Sequence, residues 1–259
     1  MINSLDYHKI ILNKNEIYSA IIKKCGNLLN SPEAKETKKY VDSRISKFYQ
    51  NKFQFGYFPS ESEIDILLGP EISWENLSKL GLAYGENRLV LGLHNLIFPI
   101  KDWQGNIVGI SGRSVLPEDE LKRLSIDKYK NSLNYKKNSY LFALDIAKRS
   151  IIKRKSAILV EGQIDCITCH SHGFTNTVAL TGSSFNFFHL FLLKNFCNKI
   201  YLVLDNDTAG QKATKKIINK YSKYIDIHHI FIPEEYKDPD NYLRNSKDQK
   251  ILEPVLLGE

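Results

Sequence analysis

From Lys155 onward the sequence repeats a pattern that few folds can absorb. Four short apolar runs occur in succession: Ala157–Val160, Thr177–Leu180, Ile200–Leu204 and Ile227–Ile232. The first and third are apolar at every position rather than at every second one. Such runs have no polar face to offer solvent, so they read as strands covered on both sides. The stretches between them are helical in character, with helices expected near 186–196 and from about Ala209 to Lys223. Strands alternating with helices predict an α/β fold with a mostly parallel sheet flanked by helices.

In an open parallel sheet, ligands gather at the carboxyl ends of the strands. The acidic residues of this half fall there. Glu161 directly follows the first run, Asp205 and Asp207 follow the third, and Asp238 and Asp240 lie just beyond the fourth. Two carboxylates spaced i, i+2 at a strand end can face one cation, and a hard ion such as Mg²⁺ takes a few carboxylate oxygens together with water and phosphate. Taken singly, Asp205-Asn206-Asp207 also reads as a turn and Asp238-Pro239-Asp240 as a helix cap. Three acidic strand ends in one small sheet favour the metal. Gly162 sits where a side chain would obstruct a tight turn or a substrate. Asp165 either supports the site or occupies a first helical turn, where acids are favourable. Gly182-Ser183-Ser184 offers either backbone N–H groups to a phosphate or only a turn.

The preceding half differs in charge. Residues 1–155 hold 25 Lys and Arg against 17 Asp and Glu, a net +8, whereas the remainder holds 11 against 12. A basic half joined to one with acidic clusters suggests a polyanion held by the first and cations by the second. Residues 1–50 read mostly as helix, with Ser31-Pro32 a helix start. Residues 48–58 are aromatic and loop- or strand-like, and 60–82 form short helices broken at Gly69-Pro70. Leu96–Ile100 and Ile107–Ile110 form a hairpin turning at Gln104-Gly105-Asn106. Residues 116–140 look irregular, and a helix is expected over about 142–152. The expected organisation is a mixed α+β basic subdomain over 1–155 and a metal-binding domain over 156–259.

These residues carry a family resemblance. Glu161-Gly162-Gln163-Ile164-Asp165, Asp205-Asn206-Asp207-Thr208-Ala209-Gly210 and Lys237-Asp238-Pro239-Asp240 resemble the toprim domain of bacterial-type primases, topoisomerases and several nucleases. Leu96-Ile97-Phe98-Pro99-Ile100, Gly105–Gly109, Ser111-Gly112-Arg113, Asp127-Lys128-Tyr129-Lys130-Asn131-Ser132 and Tyr140–Leu144 resemble the basic subdomain of DnaG-type primases. Tyr40-Val41-Asp42-Ser43-Arg44 resembles an earlier motif of the same family. Gln163, Asn206 and Leu93-His94-Asn95 depart from the family's usual residues.

The resemblance implies template-directed synthesis of short RNA primers on single-stranded DNA. Glu161, Asp205 and Asp207 would be the catalytic residues, holding Mg²⁺ or Mn²⁺ together with Asp238 and Asp240, with Gly162 and Asp165 in support. Arg44, Arg113, Lys128, Tyr129 and Asn131 would contact nucleic acid or nucleotide. The expectation is a core without that family's zinc-binding and helicase-binding domains. No zinc is then expected, and a replicative helicase or a separate zinc-binding, initiating subunit joins single-stranded DNA and NTPs as a partner. A toprim nuclease and a non-catalytic DNA-binding replisome subunit are the alternatives, told apart by cleavage without NTPs and by binding without turnover.

Cys166-Ile167-Thr168-Cys169-His170 has the spacing of a haem attachment, with His172 a further zinc ligand, but its place after Glu161 suits packing thiols in a helix. The Phe185–Phe188 cluster reads as core or interface. No apolar stretch approaches a membrane span and no export signal is evident, so an intracellular protein without membrane association is expected.

Overall fold

The computed structural model describes residues 4–246 except 70, 86 and 183. Contacts divide the chain into two compact units, one of residues 1–100 and 106–135, the other of 101–105 and 136–259.

The first unit begins with the long helix α1 (Ser4–Leu28), then α2 (Lys35–Asp42), α3 (Lys47–Lys52), the short strand β1 (Gly56–Tyr57) and α4 (Trp74–Lys79). Strands β2 (Leu96–Lys101) and β3 (Ile107–Arg113), helix α5 (Glu118–Leu124) and strand β4 (Tyr129–Asn131) complete it, and the sheet order is β1-β2-β3-β4. β1 pairs antiparallel with β2, and β4 antiparallel with β3. Its core joins Tyr18, Ile21, Ile22 and Cys25 of α1 to Ile97 and Ile110 of the sheet. The hairpin turns with Gly105 at φ +101.

Two segments differ from expectation. Residues 116–140 contain α5, β4 and a 3-10 turn rather than irregular chain. α5 buries only Leu121 and is held by end charges, with Glu118, Asp119 and Glu120 in its first turn and Lys122 and Arg123 in its last. β4 is a strand because β3 pairs with it, not because of its own pattern. The aromatic stretch 48–58 begins inside α3. Ser31 stands at the N-cap position before Pro32, but of a single 3-10 turn and without a side-chain cap bond. Pro70 lies outside the described residues.

The second unit contains α6 (Leu144–Arg154), β5 (Ser156–Val160), α7 (Gln163–Ser171), β6 (Thr177–Ala179), α8 (Phe187–Lys194), β7 (Lys199–Leu202), α9 (Thr208–Tyr221), β8 (Asp226–His229) and α10 (Pro239–Asn245). The sheet order is β6-β5-β7-β8, and all three pairings are parallel. Every residue of β5 is buried, as an unalternating central strand requires. Leu159, Ile200, Leu202, Ile151 and Ile217 belong to one core built from sheet and helices. This is the parallel α/β architecture that the apolar runs predict. No described helix is long and apolar enough to cross a membrane.

Candidate functional site

The order β5-β7 brings the carboxyl ends of two strands distant in sequence side by side. Glu161 leaves the end of β5, and Asp205 follows β7. The Asp205 backbone N–H donates to Glu161 Oε1 at 3.3 Å. Asp207 caps α9, accepting from the Gly210 N–H at 2.8 Å. Asp238 caps α10 in the same way, accepting from Asn241 N–H at 2.7 Å. The cap reading and the site reading of these motifs therefore coexist, since each aspartate commits one oxygen to its helix.

Electrostatics ties the acids together. Burial raises the Glu161 carboxyl above its ordinary range, and the charge of Asp207 adds to this against a lowering by the Asp205 N–H. Asp165, half-buried in the first turn of α7, is lifted well above its ordinary range by desolvation and then by Asp238, Asp205 and Asp240. Its Oδ1 accepts from the Asp240 N–H at 3.2 Å. Asp165 thus joins the β5 side of the site to the α10 side.

Asp240 differs from the others. Arg244, one turn along α10, donates to both of its oxygens at 2.9 and 2.8 Å, and the Thr168 hydroxyl donates to Oδ1 at 2.7 Å. With 6% of its surface exposed, Asp240 is a buried, fully engaged carboxylate. Among the described residues no three His, Cys, Asp or Glu side chains converge closely enough to cage an ion. The arrangement still suits Mg²⁺, which keeps several waters and binds through one or two carboxylates plus substrate phosphate rather than in a protein cage. Glu161, Asp205 and Asp207 are the residues that could hold it.

Two glycines fix this geometry. A Cβ on Gly162 would lie 2.5 Å from Asp165 Oδ2. A Cβ on Gly210 would overlap the Asp205 carbonyl oxygen and lie 3.1 Å from Glu161 Oε1. Only a bare backbone lets the first turn of α9 approach so closely. Asn206, between the paired aspartates, donates through Nδ2 to the carbonyls of Ile232, Pro233 and Tyr236 at 2.9, 3.1 and 3.0 Å. Its own N–H donates to Lys237 O, so one residue ties the turn after β7 to the segment leading to α10. Gly210, Asn206 and Arg244 were not among the expected site residues. Arg244 was legible as an i, i+4 partner of Asp240; the roles of the other two depend on tertiary approach.

The Cys-x-x-Cys-His segment lies in α7 with both thiols buried and free. Burial raises them, and His170 Nε2 meets Thr177 O at 2.9 Å, so these are packing residues. Ser183 lies outside the described residues.

In the first unit, the β3–β4 register sets Arg113 opposite Tyr129 and Ser111 opposite Asn131. Arg113 Nε donates to the Tyr129 hydroxyl at 3.1 Å. The guanidinium groups of Arg44 and Arg113 lie 4.7 and 4.4 Å from the centre of the Tyr40 ring. Arg113 is only 7% exposed, and its Nη1 is buried with no hydrogen-bond partner among the described residues. A buried guanidinium donor without a protein acceptor suits a site completed by an oxyanion such as phosphate. Lys128 is exposed and Asn131 half-buried beside this group. Tyr40, which organises both arginines, was quoted in its motif but not expected in the site.

Two family models match successive parts of the chain. The family model for the N-terminal domain of the DNA primase catalytic core matches residues 25–148, and the Toprim-like model matches 158–243. The chain is 34% identical to the DNA primase of Aquifex aeolicus over 95% of its own length and 50% of that protein's. It is 30% identical to that of Clostridium acetobutylicum over 88% of its length and 38% of that protein's. It thus spans half or less of these relatives. Among solved structures, the Aquifex aeolicus primase zinc-binding and RNA polymerase domains match 95% of this chain and 61% of that one, with TM-score 0.77 and 29% identity. The Mycobacterium tuberculosis DnaG RNA polymerase domain matches 96% of this chain and 83% of that one, with TM-score 0.79 and 26% identity. The same domain in complex with a double-stranded DNA oligomer carrying a 6-nucleotide overhang matches with TM-score 0.78 and 26% identity, over 95% of this chain and 79% of that one. Primase-core and Toprim-like models follow one another along this chain, and the chain belongs to the family of bacterial DnaG-type DNA primases, of which it carries the catalytic core.

Proposed function

We propose that this chain synthesises short RNA primers on single-stranded DNA by nucleotidyl transfer that depends on Mg²⁺ or Mn²⁺. The observation that carries the reading is the juxtaposition of Glu161 and Asp205 at the ends of adjacent parallel strands, within a chain similar to proteins named DNA primase.

Glu161, Asp205 and Asp207 would hold the cation, with Asp238 flanking them. Asp165 and Asp240 act behind these, Asp240 anchored by Arg244. A cation held there would supply Lewis-acid activation of a 3′-hydroxyl and neutralisation of the triphosphate charge. Half-burial of Glu161 keeps its charge poorly hydrated, which strengthens its attraction for a cation. Arg44 and Arg113 grip phosphates, their planes set by Tyr40 and Tyr129; Lys128 adds a mobile charge and Asn131 a polar contact. Single-stranded DNA and NTPs are the substrates, and a replicative helicase or a zinc-binding initiating subunit is the proposed partner.

The test is incorporation of labelled NTPs on mixed single-stranded templates with Mg²⁺ and Mn²⁺ in parallel. Short, template-dependent products that vanish in Asp205→Ala are expected. A folded Asp205→Ala protein that still made them would remove the assignment, and shortening of templates without NTPs would move it to a nuclease.

A further inference from the structure

Helix α8 is apolar on every side. Its only charged residue, Lys194, stands at its end. His189, Leu190 and Leu193 are buried, whereas Phe187, Phe188 and Phe191 turn outward, 50%, 68% and 69% exposed. A helix that is apolar all round is ordinarily covered on both sides, and the outer side of α8 is open among the described residues. Its outward rings form one ridge, since Phe187 and Phe191 are spaced i, i+4 and Phe188 and Phe191 i, i+3. Phe187 carries the ridge to the end of α9, meeting Tyr221 and Tyr224 edge-on at 5.1 and 5.7 Å. Tyr224 is itself exposed. Taking about 200 Å² per aromatic side chain, these outward rings expose roughly 450 Å², in the range of a patch that marks an interaction site.

The margin of the ridge has one sign. Residues 185–204 and 208–224 contain seven lysines and no Asp or Glu. Lys220 Nζ lies 5.3 Å from the Phe187 ring centre, Lys223 Nζ lies 5.0 Å from that of Tyr224, and Lys194 follows Phe191 by three positions on the same face. Asp226, the first acid after α9, meets His228 at 2.9 Å. The lysines therefore rim an apolar centre, which is the layout of a protein–protein contact. A second copy would set the same lysines against one another, in a chain of net charge +7, and like charges across a contact disfavour it. Single-stranded nucleic acid is held in a basic groove, whereas this surface is the convex face of a helix. The partner that complements both ring and rim is apolar at its centre and acidic at its edges.

We propose that the outer face of α8 docks an amphipathic helix of another protein, its apolar face on Phe187, Phe188 and Phe191 and its Asp and Glu flanks on Lys194, Lys220 and Lys223. A ridge of i, i+4 side chains is what a second helix packs against. Roughly 450 Å² on one side is well below the ~800 Å² per partner of a standard interface, so the complex is transient, with a dissociation constant on the order of micromolar or weaker. The proposal goes beyond the polymerase reading and does not rest on it. Phe185, 6% exposed, belongs to the core and not to this surface.

The experiment titrates the whole chain, without metal or NTPs, into a fluorescein-labelled amphipathic peptide of leucine and glutamate in heptad spacing, read by anisotropy. The same peptide with lysine in place of glutamate is the control. Saturable binding of the glutamate peptide is expected, weakened at least about tenfold in Phe188→Ser/Phe191→Ser, which removes two rings from the centre of the contact. Lys194→Glu/Lys223→Glu should reverse the preference toward the lysine peptide. All four positions are exposed, so the urea midpoint of both variants should match wild type.

No saturable binding of the glutamate peptide, or equal binding by wild type and Phe188→Ser/Phe191→Ser, would overturn the proposal. So would sedimentation showing a dimer that the same variant abolishes, which would give the ridge to a second copy. Oligo-dT or phosphatidylserine vesicles bound more tightly than the peptide, and lost in that variant, would give it to nucleic acid or to a membrane instead.

Discussion

Gly210→Ala adds one methyl group at the point where α9 passes close to Glu161 and Asp205, the proposed metal ligands. The added Cβ would lie 3.0 Å from the Asp205 carbonyl carbon and 3.1 Å from Glu161 Oε1, where ordinary contact begins at 3.4 Å. It would also overlap the Asp205 carbonyl oxygen, which is backbone and cannot rotate away. Relief needs roughly 1 Å of motion between the helix and the turn after β7, an overpacking that costs about 1–3 kcal/mol. The helix propensity of alanine offsets about 1 kcal/mol of this. The helix cannot shift alone, because the Gly210 N–H is bonded to Asp207, so Asp205 and Asp207 move relative to each other. A displacement of about 1 Å in catalytic groups costs about 100-fold in rate. The expected variant is therefore folded, less stable by up to about 2 kcal/mol in urea titration, and about 100-fold slower in primer synthesis. Gly26→Ala is the control. That residue lies in α1, and the nearest atom to its Cβ would be 3.7 Å away, so alanine should be neutral or stabilise by up to about 1 kcal/mol. Wild-type stability and rate in Gly210→Ala would refute the reasoning.

Three further outcomes are expected. Asp165 is lifted by burial and by neighbouring acids, so the folded protein keeps a proton there that the unfolded chain has released. The stability it contributes is whole below the ordinary aspartate range and is lost as pH rises through the lifted one. Asp165→Asn should therefore gain stability over wild type as pH increases, measured by urea unfolding in EDTA between pH 4 and 8; a gain that shrinks with pH contradicts the assignment. Asn206→Gly should lose about 1–3 kcal/mol by leaving three carbonyls short of a donor, with amide exchange accelerating over 232–237; an unchanged exchange pattern contradicts that role. Arg244→Ala should cost about 1–3 kcal/mol by leaving a buried carboxylate with fewer donors, and Asp240→Asn in the same protein should recover part of it. Additive losses in the double variant would mean the pair is not coupled.

The parallel sheet was legible because β5 and β7 are apolar at nearly every position, and only a strand covered on both faces tolerates that. The acids were legible for the same reason, since a strand's end marks where they emerge. β4 and α5 were not, because three exposed-to-intermediate residues and a helix burying one leucine carry no periodic signal; β4 exists through its partner. The burial of Asp165 was equally invisible, because an acid in a first helical turn reads as a surface residue until α10 covers it. Tyr40 shows a related limit: its spacing from Arg44 is local, but Arg113 reaches the same ring only through the fold of the sheet.

The adjacency of β5 and β7 also sets when the site comes into being. Glu161 and Asp205 are 44 positions apart, and α7, β6 and α8 are synthesised between them. Closing a loop of that length costs roughly 3 kcal/mol of chain entropy, against the mutual repulsion of the acids it brings together. A nascent chain that ends before β7 has Glu161 and Asp165 but neither Asp205 nor Asp207. The proposed cation site is thus acquired with the docking of the third strand rather than gradually, and a truncated or stalled product has the first part of the sheet without that site.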